Sequence, residues 1–493
     1  MCLKKGMQRI LACMIIITLI AIVAVPAGAA PVEPAGVEVD LLPGDSVDVD
    51  KTVTTPDYPP VLDLLLLEDE TGSFYDDILT MQGTPPDYLD GKAAEIWDGI
   101  AGEVADFQGG VAGFRDFAQS PWGYSGDWVY RLLQDLTSVK ATWLGGVGEL
   151  SASGGDDWPE AQLAALKSGA DGMAWDSNGD GDVTDPEDTP SGSNPAWRTG
   201  ATHVIMLVTD APCHDSEIET MYPGPTYADT ITELNDADVH VIILAAPGAG
   251  DYSGLATATG GSVQTISSDS SDIVQATLDA LEEITTDVWW VVNESPAPEI
   301  SVTFDREVEE NVAGGEIVYF TETITADPCA PAGEYYGTFD FFANTYPDEG
   351  TLLGTQEITV TVLPIPVYVD IKPGSCPNAF NTKQKGVTPV AIAGTEDFDV
   401  TTIDPASVRL NGVPPLRWSY DDVTTPYQGT DECGCWEEGP DGFMDLVLHF
   451  DSVEFAETLS GAPVKGDPVQ VVVSGSNECG ASIEGFDCVW VVK

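Results

Sequence analysis

Basic residues are scarce in this chain of 493 residues. It contains 18 lysines and arginines against 82 aspartates and glutamates, a formal net charge of −64 at pH 7. Such a surface repels nucleic acid and anionic lipid headgroups, which excludes both as partners, and it favours multivalent cations. An acidic surface that keeps a protein soluble in a salty medium accounts for the same charge, and composition alone does not choose between these explanations.

Histidine is the second shortage, because the chain has only His203, His214, His240 and His449. His203 and His240 lie within apolar runs and are interpreted as core residues. The adjacent pair Cys213-His214 suggests a thiol nucleophile, but neighbouring side chains rarely face each other productively and no further partner is evident. No pair of carboxylates is singled out for glycoside hydrolysis. We therefore expect no enzymatic activity.

Long apolar runs occur only near the N-terminus. A basic start precedes the run from Met14 to Val25, and the small residues Ala27-Gly28-Ala29 follow it. This pattern predicts a signal peptide over residues 1–29. The run is short for a membrane helix, which needs about 20 residues, although a membrane anchor is the alternative. We expect a mature chain without a membrane span that is secreted, extracellular or associated with the cell surface.

The nine cysteines fit an oxidising compartment. Two leave with the predicted signal peptide and seven remain: Cys213, Cys329, Cys376, Cys433, Cys435, Cys479 and Cys488. Five of the seven follow residue 370, which predicts disulfides in the last part of the chain. Their connectivity stays open, and an odd number leaves one cysteine unpaired within the chain. Zinc at Cys433-x-Cys435 is the alternative, but no second ligand pair accompanies it.

The order of predicted elements indicates a multidomain protein. Residues 30–57 are predicted to be a linker, with a stray strand as the alternative. Near-continuous apolar runs at Val61–Leu67, His203–Val208 and Val239–Ala245 are typical of buried parallel strands. Predicted helices lie among them, at Lys92–Phe107, Trp128–Leu136, Glu160–Lys167, Tyr227–Asp236 and Asp272–Ile284. Residues 58–288 are therefore predicted to form a Rossmann-like α/β domain, a parallel sheet with helices on both faces.

The pattern changes after this domain. Residues 290–365 alternate apolar and polar positions between Pro and Gly turns, which predicts an immunoglobulin-like β-sandwich. Residues 367–493 are again rich in predicted strands and hold most of the cysteines. The predicted architecture is thus one α/β domain followed by two all-β, sandwich-like domains.

The first buried strand runs directly into Asp69-Glu70-Thr71-Gly72-Ser73. Ligands of open α/β sheets bind at the carboxyl ends of strands, and here a carboxylate and two hydroxyls offer the oxygen donors that hard cations prefer. Hydroxyls are neutral ligands, so a cation held by them stays electrophilic. It is then ready to accept a carboxylate from another molecule.

This segment resembles the metal-ion-dependent adhesion site of von Willebrand factor A (vWA) domains, most closely the A-like domain of integrin β subunits. The likeness covers roughly residues 61–285. Four more segments match that subtype in order: Asp76-Asp77, Gly113-Phe114-Arg115-Asp116, Asp156-Asp157-Trp158-Pro159-Glu160 and Leu207-Val208-Thr209-Asp210-Ala211.

The resemblance implies three metal sites. At the adhesion site Thr71, Ser73 and Glu160 would bind Mg²⁺ (or Mn²⁺) directly, and Asp69 and Asp210 would act through water. Calcium would occupy the two flanking sites, the adjacent one formed by Asp76 and Asp77, the third by Asp116, Asp157, the Pro159 carbonyl and Glu160. The sequence departs from the family at Gly155, where an Asn ligand is usual, and at Thr71, which replaces Ser. Alternatively, Asp76 and Asp77 merely cap the next helix, since acidic residues favour helix starts.

A second calcium loop is predicted within the same domain. Residues 176–187 fit the twelve-residue EF-hand template, with oxygen ligands at Asp176, Asn178, Asp180, Asp182 and Glu187. Gly181 permits the sharp turn. Helices do not clearly flank the loop, so we interpret it as a calcium-stabilised loop. An acidic, solvated loop without metal is the alternative.

These patterns together predict a secreted adhesion protein. It would bind an acidic group of a protein or glycan partner through the cation of the α/β domain. A calcium-stabilised structural component of a surface layer or extracellular matrix is the main alternative. A secreted hydrolase subunit is a weaker one.

Overall fold

The computed structural model describes residues 30–343, 350–427, 429, 431, 433–435, 438–459 and 465–492. The predicted signal peptide, residues 1–29, lies outside these residues. The described strands form five sheets. No helix in this part of the chain has the length and apolar character that a bilayer crossing requires.

The described chain opens with strands, and the prediction of a linker over residues 30–57 was wrong. Strands β1 (Val32–Glu33), β2 (Gly36–Leu41) and β3 (Ser46–Thr54) lie in this segment. In β3, Val or Lys recurs at every second position, the period of a strand. The nearby pairing partner of β3 is the two-residue strand β1, whereas its long partner β13 and the partner of β2, β15, both lie beyond residue 316. The local sequence therefore gave little indication that β2 and β3 belong to sheets.

Between β3 and residue 286 the chain forms an α/β unit with one six-stranded sheet. Its strands are β4 (Val61–Asp69), β5 (Asp106–Phe114), β6 (Arg131–Thr137), β7 (Thr202–Thr209), β8 (Val239–Ala245) and β9 (Val263–Thr265). The order is β6-β5-β4-β7-β8-β9, and every pair is parallel except β5 with β6. The predicted helix at Trp128–Leu136 was therefore wrong. Trp128 packs between the guanidinium groups of Arg115 and Arg131, which contact its ring.

Helices cover both faces of this sheet. They are α1 (Tyr75–Gln82), α2 (Lys92–Glu103), α3 (Lys140–Val147), α4 (Gln162–Asp171), α5 (Tyr227–Asp236), α6 (Ser253–Ala258) and α7 (Ile273–Glu282). Alternate residues of β4 enter two separate cores. Leu64 and Leu66 pack in one core with Trp97 of α2, and Leu65 and Leu67 pack in the other with Leu163 of α4. Because both faces of β4 are buried, its sequence is apolar almost throughout.

The next strands form a β-sandwich together with the N-terminal segment. They are β10 (Thr286–Glu294), β11 (Ile300–Phe304), β12 (Val308–Val312), β13 (Ile317–Ala326), β14 (Gly333–Ala343) and β15 (Thr351–Val362). One sheet has the order β1-β3-β13-β11 and the other β12-β10-β14-β15-β2. The α/β unit is therefore an insertion between two strands of the sandwich.

A buried ion pair joins the N-terminal strand β3 to its neighbour in the same sheet, β13. Lys51 Nζ of β3 lies 4.0 Å from Glu322 Oε2 of β13, and both side chains are fully buried. Lys51 donates to the carbonyl of Pro34 at 2.6 Å, and Gln356 donates to Glu322 at 2.6 Å. Burial lowers the pKa of Lys51 to about 8, although Glu322 opposes this shift.

The remaining elements form two sheets around a separate core. They are β16 (Ile365–Pro366), β17 (Val369–Ile371), β18 (Ala379–Phe380), β19 (Val387–Ile392), β20 (Arg409–Leu410), β21 (Pro415–Asp421), β22 (Asp445–Asp451), α8 (Ser452–Thr458), β23 (Pro468–Ser476) and β24 (Ser482–Val491). One sheet has the order β16-β24-β23-β20, with β18 also on β24, and the other β17-β19-β22-β21. Phe450, Phe455 and Val473 are among the residues of the shared core.

Three disulfides lie among the described residues of the C-terminal half: Cys329–Cys479, Cys376–Cys435 and Cys433–Cys488. The zinc alternative for Cys433 and Cys435 is therefore wrong, because each is bonded to a different cysteine. Cys329–Cys479 connects the sandwich to the last unit. Cys213 is the free cysteine of the described residues.

Candidate metal centre

Two neighbouring parallel strands end at the candidate site. Strand β4 ends at Asp69, strand β7 ends at Thr209, and the loops that follow them carry Thr71, Ser73 and Asp210. The carboxyl ends of parallel strands lie at the same edge of a sheet, which places these side chains together.

Hydrogen bonds link the predicted adhesion-site residues directly. Asp69 Oδ1 accepts from the backbone N–H and the hydroxyl of Thr71, at 2.9 and 2.7 Å. The Thr71 hydroxyl lies 3.2 Å from that of Ser73, and Ser73 donates to Asp210 Oδ1 at 3.1 Å. Four of the five predicted ligands therefore form one continuous set of oxygens.

Thr209 is a member of this set that the sequence reasoning missed. Its hydroxyl donates to Asp69 Oδ2 at 2.7 Å, and Gln162 donates to the Thr209 oxygen at 3.0 Å. Both oxygens of Asp69 are thus held by hydroxyl donors. The sequence could have indicated Thr209, because it directly precedes the predicted ligand Asp210.

Glu160, the fifth predicted ligand, enters from the loop before α4. It is 4% exposed, and its Oε2 has no hydrogen-bond partner. Burial, followed by the charges of Asp69, Asp116 and Asp157, raises its pKa to about 11. A buried carboxylate without a donor is strongly unfavourable unless a cation compensates it.

Gly155 approaches this carboxylate closely. Its φ is +72°, and a Cβ built there would lie 2.7 Å from Glu160 Oε1 and 3.3 Å from Thr71 Cβ. The asparagine that the resemblance expects at this position would therefore collide with Glu160. The backbone conformation favours glycine for the same position.

Buried carboxylates are concentrated around this edge of the sheet. Burial raises the pKa of Asp69 to about 6 and that of Glu70 to about 7, and it also raises the pKa of Asp210. Glu68, fully buried, has neither oxygen hydrogen-bonded, and its pKa is well above the usual range. The oxygen donors and the uncompensated negative charge fit a divalent cation.

The two predicted ligands of the adjacent site begin helix α1. Both lie in its first turn, and neither caps it, because the N-cap is Phe74. Asp77 is buried and accepts a hydrogen bond of 2.6 Å from Ser270, whereas Asp76 is exposed. Burial raises the pKa of Asp77 to about 6, with Asp76 adding to the shift.

The structure brings two of the predicted third-site ligands together with His214. Asp116 Oδ2 and Asp157 Oδ1 lie 3.3 and 3.4 Å from His214 Nε2. Pro159 follows in the same loop as Asp157 and is partly exposed. From the sequence, His214 was considered only in the pair with Cys213 and was not included among the metal ligands.

The predicted calcium loop is closed by a bridge between Trp175 and Thr189, and no helix flanks it. Asp176 accepts from the backbone N–H groups of Gly179, Asp180 and Gly181. Asn178 Oδ1 accepts from Asp180 N at 2.9 Å. This backbone arrangement folds the loop around its acidic side chains.

The carboxylates that converge in this loop differ in part from the predicted set. Among the described residues, Asp180, Asp182 and Asp185 place oxygens within 4.8 Å of one another. Glu187, the predicted last ligand, is not in that group. Asp185, which the template does not select as a ligand, also accepts a hydrogen bond from Asn178 at 3.0 Å.

Cys213 is largely buried beside the candidate site. Burial raises the pKa of its thiol to about 12. The nucleophilic form of cysteine is the thiolate, which such a pKa disfavours near neutral pH.

No protein-family model and no curated protein matches the chain. Among solved structures, it is similar to the ArnB paralog VWA2 from Sulfolobus acidocaldarius, with 9% identity, a TM-score of 0.29, and 66% of this chain and 73% of that chain covered. It is also similar to the pilus adhesin SpaC from Lactobacillus rhamnosus GG, with 11% identity, a TM-score of 0.27, and 91% of this chain and 59% of that chain covered. Similarities at this level carry no functional inference, so function is inferred from the site.

Proposed function

We propose that this protein is a secreted adhesion protein with a vWA-type domain of the integrin β-like kind. It binds an acidic group of a protein or glycan partner through Mg²⁺ (or Mn²⁺) at the end of β4. The observation that carries this proposal is the buried Glu160 carboxylate, whose Oε2 has no hydrogen-bond partner among the described residues, together with the linked oxygens of Asp69, Thr71, Ser73 and Asp210.

The choice of side chains favours a partner carboxylate. Thr71, Ser73 and Glu160 would be the direct ligands, so two of the three are neutral. A divalent cation held there keeps net positive charge and supplies one Lewis-acidic position to an incoming carboxylate. Asp69 and Asp210 contribute by orienting the hydroxyls of Thr71 and Ser73, which donate to them at 2.7 and 3.1 Å.

The neighbouring sites would assist in two ways. Asp76 and Asp77 would hold Ca²⁺ at the start of α1, next to the loop of Ser73. A second Ca²⁺ would order residues 176–187, where Asp180, Asp182 and Asp185 converge. Two or three adjacent carboxylates repel one another, and cations would remove that repulsion.

An extracellular location agrees with the covalent structure. Three disulfides in the described residues are typical of oxidising compartments. The signal peptide predicted for residues 1–29 remains a prediction.

A calcium-stabilised structural component of a surface layer is the second candidate. It is favoured by the disulfide between Cys329 and Cys479, which joins two β-rich units, and by the acidic loop of residues 176–187. In that case the cations would support the fold without contacting a partner.

Water-proton relaxation of bound Mn²⁺ tests carboxylate binding directly. Bound Mn²⁺ with an exchangeable water enhances relaxation, and glutarate, as the probe, should displace that water and reduce the enhancement. Asp69→Asn should abolish the glutarate effect while the thermal unfolding midpoint in chelator is retained. An enhancement that glutarate leaves unchanged in the wild-type chain, with Mn²⁺ bound, would support the structural candidate instead.

A further inference from the structure

We propose that Asp116, Asp157 and His214 form a site for a divalent transition ion of the zinc type. The site takes Asp116 and Asp157 from the third site that the resemblance implies and adds His214, which that resemblance does not include. Histidine changes the expected metal, because imidazole nitrogen suits zinc, whereas calcium and magnesium take oxygen ligands.

The distances among the three side chains match such an ion. His214 Nε2 lies 3.3 Å from Asp116 Oδ2 and 3.4 Å from Asp157 Oδ1, and all three atoms lie within 4.8 Å of one another. Zinc binds nitrogen and oxygen at about 2.0–2.2 Å in a tetrahedron, which separates neighbouring ligand atoms by about 3.3–3.6 Å. One ion can therefore contact Nε2 and either carboxylate without rearrangement.

The other ring nitrogen of His214, Nδ1, contacts a carboxylate, as is usual for histidines that bind a metal. Nδ1 lies 2.8 Å from Glu219 Oε2, and a proton on Nδ1 would turn the Nε2 lone pair toward the two aspartates. Metal-ligating histidines usually donate their second N–H to such a carboxylate, which fixes the tautomer and the ring orientation. Tyr222 stacks on the ring with centroids 4.3 Å apart and holds its plane.

Two buried oxygens near this point lack an ordinary hydrogen-bond donor. Asp116 is fully buried; its Oδ1 accepts from Phe117 N at 2.6 Å, whereas the atom that faces its Oδ2 is His214 Nε2, 3.3 Å away. Glu160 Oε2 is also unpartnered, and its carboxylate is close enough to Asp116 and Asp157 for both to raise its pKa. Buried acceptors facing a nitrogen lone pair repel one another, and a cation among them removes that repulsion.

A proton on Nε2 is the competing explanation. Burial alone would lower the pKa of His214, but Asp116, Asp157 and Glu219 outweigh it and raise the pKa to about 9. An imidazolium ion would then satisfy the aspartates without metal. The side chain of Asp157 is 33% exposed, which leaves a path by which a metal can displace that proton.

The site would hold the loop that carries Glu160. Glu160 N donates to the Pro212 carbonyl at 3.0 Å, and His214 N donates to the Glu160 carbonyl at 3.0 Å. An ion bound by Asp157 and His214 would connect the loop of Glu160 to the segment from Pro212 to His214, in addition to these two hydrogen bonds. It would thereby fix the backbone of a proposed adhesion-site ligand.

Cobalt(II) titration of the metal-free chain, purified without a histidine tag, tests this site. Cobalt in a tetrahedral nitrogen–oxygen site gives strong visible absorption, and zinc should displace it one for one. His214→Gln should abolish the absorption, whereas the control His449→Gln should keep it. Asp69→Asn should also keep it, so this result separates the zinc site from the proposed adhesion site.

Zinc-edge X-ray absorption of the wild-type chain covers the case in which His214→Gln does not fold. We expect one imidazole and oxygen ligands at about 2.0–2.1 Å. A spectrum with oxygen ligands only, or no cobalt or zinc bound at all, would overturn the proposal and leave the protonated histidine as the explanation.

Discussion

Thr209 donates a hydrogen bond of 2.7 Å to Asp69 Oδ2 across two adjacent parallel strands. The carboxylate is fixed on one oxygen by Thr209 and on the other by Thr71, at 2.7 Å. Asp69 is fully buried, so these hydroxyl donors, with the Thr71 N–H, keep it ionisable and oriented.

We therefore expect Thr209→Val to weaken metal binding without loss of the fold. Removing a group that orients a metal ligand typically costs about 10- to 100-fold in affinity. Electron paramagnetic resonance of free Mn²⁺ measures this change. Thr232→Val, an exposed threonine on α5, is the matched control and should leave affinity unchanged. Equal affinities in the two variants would contradict the orienting role of Thr209.

Gly155→Ala should impair the site through a steric effect. The new Cβ would lie 2.7 Å from Glu160 Oε1, and φ is +72°, so we expect a loss of about 1–3 kcal/mol in the free energy of unfolding. Mn²⁺ affinity should fall as well. Gly126→Ala is the control, because its φ is +98° and nothing lies within 4 Å. If both variants lose metal affinity equally, the contact with Glu160 is not the cause.

Calcium binding by residues 176–187 should depend on Asp185. Asp185→Asn removes a carboxylate from the converging group, and we expect roughly tenfold weaker calcium binding, because affinity follows the charge of the ligands. Glu187→Gln should have a smaller effect. Calorimetric titration of both variants with Ca²⁺ decides between the converging group and the EF-hand template. A larger loss in Glu187→Gln would favour the template.

The ion pair in the sandwich should make stability depend on pH. The pKa of Lys51 is about 8 in the folded chain and 10.5 as the unperturbed value. Between these values the unfolded chain binds more protons, so the contribution of Lys51 to the free energy of unfolding rises with pH. Denaturant unfolding at pH 8 and pH 10 should show this rise in the wild type. The double variant Lys51→Met with Glu322→Gln should show a smaller one.

Local patterns predicted the strands that lead into the site. The apolar run from Val61 to Leu67 lies within β4, and the hydroxyls after it lie where a parallel sheet places a ligand. The spacing of Asp69, Thr71 and Ser73, followed much later by Asp210, was visible because Asp69 ends a strand and the other three lie within four residues after a strand end. These features depend on neighbouring residues and on general rules for sheets.

The features that the sequence did not reveal depend on distant pairing. Strand β3 acquires its partner β13 only after the whole α/β unit has been traversed, so its Val–Asp alternation resembled a linker. His214 gained a defined environment from Asp116 and Asp157, each far away in sequence. The segment predicted to be a helix, Trp128–Leu136, instead contains most of β6, whose antiparallel pairing with the distant β5 fixes it as a strand.

Counting bound Mn²⁺ in the wild-type chain and in Asp69→Asn tests the central claim most directly. Paramagnetic resonance of free Mn²⁺ gives the number of sites, and we predict one site fewer in the variant. Its free energy of unfolding in chelator should be unchanged or higher, because the buried carboxylate that burial disfavours is gone. An unchanged number of sites of unchanged affinity would contradict a cation at Asp69, Thr71 and Ser73.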